Sequence, residues 1–517
     1  MIQVRISLLS TILWLCAILY TLPLTSSFDV SDGVLSPETK SCTWEDRETC
    51  ASVGVQYRDP HLEPMVVDFG DRQETVDVYM LPDIATFYPN VTDGSTSIPR
   101  LETSFRGQFG KFINMSPNAV RVFWISNSGD KQYIADLAPF GAAGTATYPN
   151  HRFVVTERNN PDNVLKQWTI KEFNSLYKYD PYESLDKAKQ ELKSGEFKLY
   201  KLQHDNLAFD KMYRYKTGRQ WLALYGRKHK PRFPMWPADY FGQTYQVVTN
   251  ETHFVSQPPE DLAKAQLSST PTAKDLDIRR QLKAYRSTDE TLVLNMTVLS
   301  VAPRVFEIRN FLSQEEVTHI LELAMGITLS RSTTKATSSA TSQESTSDTT
   351  RTSENSWISR HRTAVVDAIY RRAADLLQIH EACFRTRKDP HELDLVANST
   401  SAITERLQLV HYGVGQQYTA HHDFSVPDLR EGQPSRFATL LLYLNEGMEG
   451  GETSFPRWLN GETTDILEVK PEVGKAVLFY NVLPDGNYDE RSQHAAKPVI
   501  EGEKWLTNLW VWDPYMY

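Results

Sequence analysis

Cysteine is nearly absent from this chain. Four occur in 517 residues, so no disulfide framework can stand in for a hydrophobic core. Cys16 lies inside an apolar run, Cys42 and Cys50 are close enough for a local disulfide, and Cys383 is left over, reading as a buried thiol. Basic charge is in short supply too. A net charge of −10 gives no reason to expect a nucleic-acid partner, because counterion release needs a cationic surface. The one basic cluster, Arg227-Lys228-His229-Lys230-Pro231-Arg232, reads as a solvated loop. Long apolar runs are missing after the first 24 residues, so any membrane attachment through a helix rests on that opening segment.

The opening segment has the layout of a secretory signal. Arg5 precedes ISLLSTILWLCAILYTLPL, which ends at Thr25-Ser26-Ser27. The run is long for a cleaved signal, so residues 1–27 are either a signal peptide or a single-pass signal anchor. Either way the rest of the chain is expected in the secretory lumen, in the endoplasmic reticulum or Golgi. Sequons at Asn90, Asn114, Asn250, Asn295 and Asn398 agree with that compartment.

The length allows two or three domains. Residues 28–99 carry short β-like runs and no assignable role. Within 100–180, GKFINMSP, AVRVFWIS, KQYIADL and HRFVVTE alternate apolar and polar residues between turn residues, which predicts a small β-sandwich. Residues 181–297 connect: 184–203 could begin a helix, interrupted at Gly195, and 204–290 is aromatic-rich and irregular. A further domain, 298–517, begins with the strand VFEIRNF and a helix opened by the capping box Ser313-Gln314-Glu315-Glu316. The Ser/Thr-dominated stretch 329–356 is too polar to fold alone, a flexible loop or a lid. Val365, Val366, Ile369, Ala373, Leu376 and Leu377 then mark a second amphipathic helix. Short strands fill 403–512. The fold class expected is mainly β with α.

His421-His422-Asp423 places two metal-ligand side chains two positions apart. In a strand such residues share a face, so His421 and Asp423 point together and His422 points away, as support or surface. His494 supplies a third ligand. Two histidines and a carboxylate on one face of an octahedron leave three sites open, the arrangement of non-haem iron oxygenases. Lys504 follows ten residues after His494. A lysine beside a metal inside a barrel needs an anion, and the distal carboxylate of 2-oxoglutarate suits it. Tyr412 and Thr439 can offer hydroxyls to the same carboxylate. Taken singly, an exposed lysine, a strand threonine and a core tyrosine are the ordinary readings of these three.

Blocks in order across about 301–517 resemble the prolyl 4-hydroxylase family: APRVFEIRNFLSQEE, RTSENSW, LQLVHYGVGQQYTAHHDF, RFATLLLYLNEGMEGGETSFP, VKPEVGKAVLFYNVLPDG and SQHAAKPVIEGEKWLTNLWV. The resemblance implies a double-stranded β-helix (jelly roll) with supporting helices. It implies iron(II) on His421, Asp423 and His494, with 2-oxoglutarate on Lys504, Tyr412 and Thr439. It also implies dioxygen as co-reactant and L-ascorbate as reductant. Tyr418 matches a residue on the peptide side, and Arg351 falls in the substrate loop. The expected reaction is hydroxylation of peptidyl proline to 4-hydroxyproline in secretory-pathway proteins. A dioxygenase for another residue or a small molecule is the alternative within the same chemistry. The long Ser/Thr loop and an insertion at 384–400 depart from the family's pattern on the substrate side.

The segment FINMSPNAVRVFWISNSGDKQYIADLAPFGAAGTATYPNHRFVV resembles the β domain of the von Hippel–Lindau protein. That resemblance implies a hydroxyproline-reading pocket at Trp124, Tyr133, Thr147 and His151, with Phe153 where the family has a tryptophan. A non-catalytic hydroxyproline-binding protein is therefore the reading from another functional class. The partner expected is a proline-containing polypeptide; oligomeric state is open.

Overall fold

Alternating apolar positions organise the amino-terminal sandwich. The computed structural model describes residues 59–82, 103–223, 233–332, 350–396, 399–424, 435–460 and 463–513. The signal segment, the Cys42 and Cys50 pair, the sequons at Asn90 and Asn398, and most of the 329–356 stretch lie outside the described residues. A hairpin of β1 (Leu62–Asp68) and β2 (Gln73–Tyr79) comes first. The sandwich follows: β3 (Gln108–Asn114), β4 (Val120–Ile125), β5 (Lys131–Leu137), β6 (Ala142–Thr147), β7 (Arg152–Glu157), β8 (Asn160–Thr169) and β9 (Leu176–Tyr179). Its two sheets run β6-β3-β9 and β5-β4-β7-β8. Phe112, Val120, Val122, Phe153, Val155 and Trp168 close the core between them, as the period-two pattern requires. The strands the alternation did not signal are β6, β8 and β9; β6 reads AAGTAT and has no large apolar residue.

The connecting region is more ordered than its sequence suggests. Helix Leu185–Glu191 is followed by the 24-residue helix Ser194–Thr217, with Gly195 in its first turn rather than at a break. There the Glu196 carboxylate accepts the Lys193 N–H at 3.0 Å, and Gly218 ends the helix at φ 72°. Tyr200, Phe209 and Tyr213 bury the inner face, the last two edge-on to Trp221 at 4.9 and 5.1 Å between ring centroids. Tyr213 also donates to the buried Asp485 carboxylate at 2.8 Å. The helix is thereby tied to the carboxy-terminal domain.

That domain holds β10 (Thr244–Thr249), β11 (Leu292–Ser300), β12 (Val305–Ile308), β13 (Ser330–Arg331), β14 (Glu354–Ile358), β15 (Leu407–Tyr412), β16 (Tyr418–His421), β17 (Ser435–Tyr443), β18 (Glu449–Gly450), β19 (Thr453–Phe455), β20 (Leu467–Val469), β21 (Ala476–Tyr480), β22 (His494–Ala496), β23 (Val499–Glu501) and β24 (Lys504–Asp513). A nine-stranded sheet runs β10-β11-β12-β21-β17-β24-β15-β14-β13, and a second runs β16-β22-β19-β20. Val410, Tyr412, Leu441, Tyr443, Phe455, Phe479 and Leu506 fill the space between them. This is the expected jelly roll. The two helices read from periodicity occupy Gln314–Met325 and Ala364–Leu377, and the capping box forms on Ser313 and Glu316. Glu316 has a second role: it is fully buried and takes two hydrogen bonds from the Arg372 guanidinium, at 2.6 and 2.8 Å.

Asn114 corrects the sequon reading. It is fully buried, its amide donating to the carbonyls of Asn118 and Ala138 at 2.8 and 2.9 Å, so it cannot carry a glycan in this fold. Asn250 and Asn295 are exposed. Among the described residues no helix is long and apolar enough to cross a membrane.

Candidate active site

The proposed metal ligands converge. Donor atoms of His421, Asp423 and His494 all lie within 4.8 Å of one another. His421 ends β16 and Asp423 follows in a bend, so the strand delivers one ligand and the turn delivers the other. β22 pairs directly with β16, setting His494 opposite His421.

The hydrogen bonds leave the right atoms free. His421 Nδ1 faces the Thr419 carbonyl at 2.8 Å and His494 Nδ1 faces the Ser492 carbonyl at 2.9 Å. A carbonyl can only accept, so both rings carry a proton on Nδ1, which makes Nε2 the ligand atom of each ring when neutral. The two Nε2 atoms lie 3.8 and 3.7 Å from the Asp423 carboxylate. Asp423 Oδ2 is held by the Thr439 hydroxyl at 2.8 Å and the Trp510 indole N–H at 2.9 Å. Burial would raise the Asp423 carboxyl, but His494, His421 and Arg436 hold it well below the usual carboxylate range. Desolvation and the neighbouring His494 push His421 well down. Neutral imidazoles and an ionised carboxylate are the protonation states iron(II) binding needs.

Lys504 is fully buried in the same cavity, of about 540 Å³. Burial pushes its ammonium down to about 7. Among the described residues no carboxylate lies within salt-bridge reach of it. Tyr412 and Tyr443 stand with ring centroids 5.6 Å from its Nζ. Gly450 and Gly451, at φ 74° and 72°, carry the chain past this side chain; a Cβ on Gly451 would meet the lysine Cδ at 3.4 Å.

Thr439 is a correction. It was expected beside the 2-oxoglutarate carboxylate, yet it pairs with Trp510 across β17 and β24, six positions from Lys504 along the strand. That is ~20 Å at a strand's rise. Its hydroxyl serves Asp423, and Asn481 donates to it at 2.9 Å. The Lys504 ammonium donates to the Thr453 hydroxyl at 3.4 Å, which also receives the Tyr443 O–H at 2.7 Å. Sequence reasoning missed Thr453, because no spacing relates β19 to β24. Trp510 could have been found: Lys504, Leu506, Asn508, Trp510 and Trp512 share one face of β24 and all line the cavity.

On the opposite side, Tyr418 stacks on His421 with ring centroids 3.5 Å apart, and the Arg351 guanidinium sits 4.6 Å from the Tyr418 ring. Both line the cavity. His422 turns away, its Nε2 3.0 Å from the Glu490 carbonyl, and burial pushes it down to about 4. The amino-terminal candidates divide. Thr147 Oγ1 meets His151 Nδ1 at 3.2 Å, and Trp124 lies 5.3 Å from the His151 ring. Tyr133 does not join them. It pairs with Phe123, so it stands on the other face of β4, against Phe123 and Arg121.

Residues 407–512 match the family model described as the 2OG-Fe(II) oxygenase superfamily. "Probable prolyl 4-hydroxylase 3" of Arabidopsis thaliana is 33% identical over 228 residues, 41% of this chain and 71% of that protein. The chain belongs to the prolyl 4-hydroxylase family. Another family relative, prolyl 4-hydroxylase subunit alpha-1 of Gallus gallus, is 33% identical over 214 residues, 40% of this chain and 36% of that one. Among solved structures, the viral collagen prolyl hydroxylase from Paramecium Bursaria Chlorella virus-1 aligns at 24% identity. It covers 40% of this chain and 95% of its own, with a TM-score of 0.29. As a member of the prolyl 4-hydroxylase family, the chain carries its three metal-ligand candidates and Lys504 inside the matched segment.

Proposed function

We propose that this chain hydroxylates proline residues of polypeptides, coupling each turnover to oxidative decarboxylation of 2-oxoglutarate. The observation that carries the reading is the shared cavity: a buried lysine with no carboxylate in salt-bridge reach among the described residues opens on the same space as a two-histidine, one-carboxylate cluster. One end suits a metal and the other suits an anion.

Iron(II) held by His421, Asp423 and His494 supplies the oxygen chemistry that replaces a C–H bond with C–OH. The protein's own part is placement. Lys504 and Thr453 orient the cosubstrate carboxylate, while Thr439 and Trp510 fix Asp423. Tyr418 covers His421 on the peptide side. One oxygen atom of dioxygen enters the peptide and the other enters succinate, with carbon dioxide released. L-Ascorbate is the reductant we assign to turnovers that fail to reach substrate. The apolar run at residues 6–24 supports placing the activity in the secretory lumen, cleaved free or anchored by that segment.

The test is turnover of the purified full chain with iron, ascorbate and 2-oxoglutarate on proline-rich and collagen-like peptides. Mass spectrometry should find one added oxygen on proline, matched by succinate. Succinate matched instead by oxygen on another residue or a small molecule would assign the chemistry but overturn the proline reading.

The amino-terminal cluster supports a second role, reading hydroxyproline. The Trp124 indole N–H is shielded from solvent and has no hydrogen-bond partner among the described residues. It lies beside Thr147 and His151, polar groups of the kind a hydroxylated ring would require.

A further inference from the structure

The cavity that holds the metal cluster is not walled by the jelly roll alone. Phe109 of β3, Ile134 of β5, and Gly144, Thr145 and Ala146 of β6 line it together with His421, Asp423, His494 and Lys504. β5 and β6 are end strands of their respective sheets. One edge strand of each sheet therefore lines the site.

The sandwich is fastened there. Phe109 packs edge-on to His422 and Phe424 at 5.3 and 5.1 Å between centroids, and its N–H donates to Glu490 Oε1 at 2.9 Å. Arg457 holds the same carboxylate at 2.6 Å. The absence of a side chain at Gly144 makes room for Phe109, since a Cβ there would lie 2.2 Å from the ring. Lys111, fully buried on the same sheet, donates to the Ala223 carbonyl.

Among the described residues, β6 pairs with β3 on one side only. An unpaired strand edge presents N–H and C=O groups ready to take another strand, and proteins usually blunt such edges. This one carries small residues, Ala142, Ala143, Gly144, Thr145 and Ala146, which allow a second backbone to come close. A polypeptide whose proline enters the cavity can continue past this edge, because β6 lines the same space. Proline lacks a donor but is tolerated in an edge strand when its nitrogen faces away from the ladder.

We propose that the outer edge of β6, with Ile134 beside it, is a substrate-selecting wall. The chain flanking the target proline lies extended along β6 and adds to the sandwich as a strand. The proposal rests on the polypeptide-hydroxylase reading and adds that the sandwich decides how much flanking chain is recognised.

The test uses the full chain and two peptides sharing one target proline. One has ~12 residues, enough to follow the six-residue β6 at ~3.3 Å per residue; the other has ~3 and stays in the cavity. Wild type should favour the long peptide through KM. Thr145→Trp should raise the long peptide's KM ~10-fold more than the short peptide's, and Thr145→Ser should keep the wild-type ratio between the two. N-methylation of the flanking amides should weaken the long peptide on wild type, a measurement that stands if the tryptophan variant fails to fold. No advantage of length on wild type, or equal losses on both peptides, overturns the wall. A wild type that hydroxylates neither peptide overturns the proline reading itself, and the two failures are thus told apart.

Discussion

Lys504→Met should have opposite effects on cosubstrate affinity and on the stability of the cosubstrate-free protein. Methionine keeps the stem's volume and removes the charge. In the bound state the ammonium is the buried partner of a carboxylate, and deleting one member of such a pair costs about 3–5 kcal/mol. At about 1.4 kcal/mol per tenfold, the dissociation constant for 2-oxoglutarate should rise by roughly two to three and a half powers of ten. Without 2-oxoglutarate the sign reverses. The folded-state value of about 7 lies below the model-compound value of 10.5, so the unfolded chain binds more protons between those two pH values. Wild-type stability should climb as pH rises through that window and be lowest below its lower end. At pH 8 the linkage costs wild type about 3 kcal/mol that the variant does not lose. The variant should melt a few degrees higher and show no such slope. Calorimetric titration with 2-oxoglutarate under anaerobic conditions reads the first effect, and thermal melts at a series of pH values read the second. Affinity within threefold of wild type would remove Lys504 from the cosubstrate site. A melt no higher than wild type at pH 8 would refute the argument from burial.

Thr439→Val and Trp510→Phe each remove one hydrogen bond from Asp423 Oδ2. Each should weaken iron binding ~10–100-fold, read by competition with a chelator, while 2-oxoglutarate affinity measured on a substitute divalent metal changes less. For the amino-terminal cluster, the full chain should bind a hydroxyproline peptide more tightly than its proline counterpart, and His151→Ala should abolish the difference. Equal binding of both peptides by wild type removes the reading role.

The parts of this protein legible in sequence are those where one residue's identity implies a neighbour. His421 and Asp423, two apart, had to share a side, and Lys504 needed an anion. The capping box at Ser313 and the alternation in β3, β4, β5 and β7 follow from local rules and appear where those rules put them. What stayed hidden depends on distant segments. Thr439 and Thr453 are both strand threonines, and only the pairing of β17 with β24 and the contact of β19 with Lys504 tell which end of the cavity each serves. Helix Ser194–Thr217 has few aliphatic residues; it is held by tyrosines and a phenylalanine whose partner, Trp221, lies past its end. β6 is formed from alanine, glycine and threonine, with Gly144 leaving room for Phe109, and sequence periodicity does not register so small a set of side chains.

His422, the residue between two metal-ligand candidates, bears on how this enzyme could change over generations. Its ring is packed by Phe109 from the sandwich and tied to Glu490, which itself holds the Phe109 backbone. A catalytic domain built this way leans on its neighbour. Moving it onto another partner would leave a bare aromatic face behind the metal, and replacing the sandwich would require compensating changes at positions 109, 422 and 490 together. The metal site thus lies at the seam of the two modules, where a change in one is felt by the other.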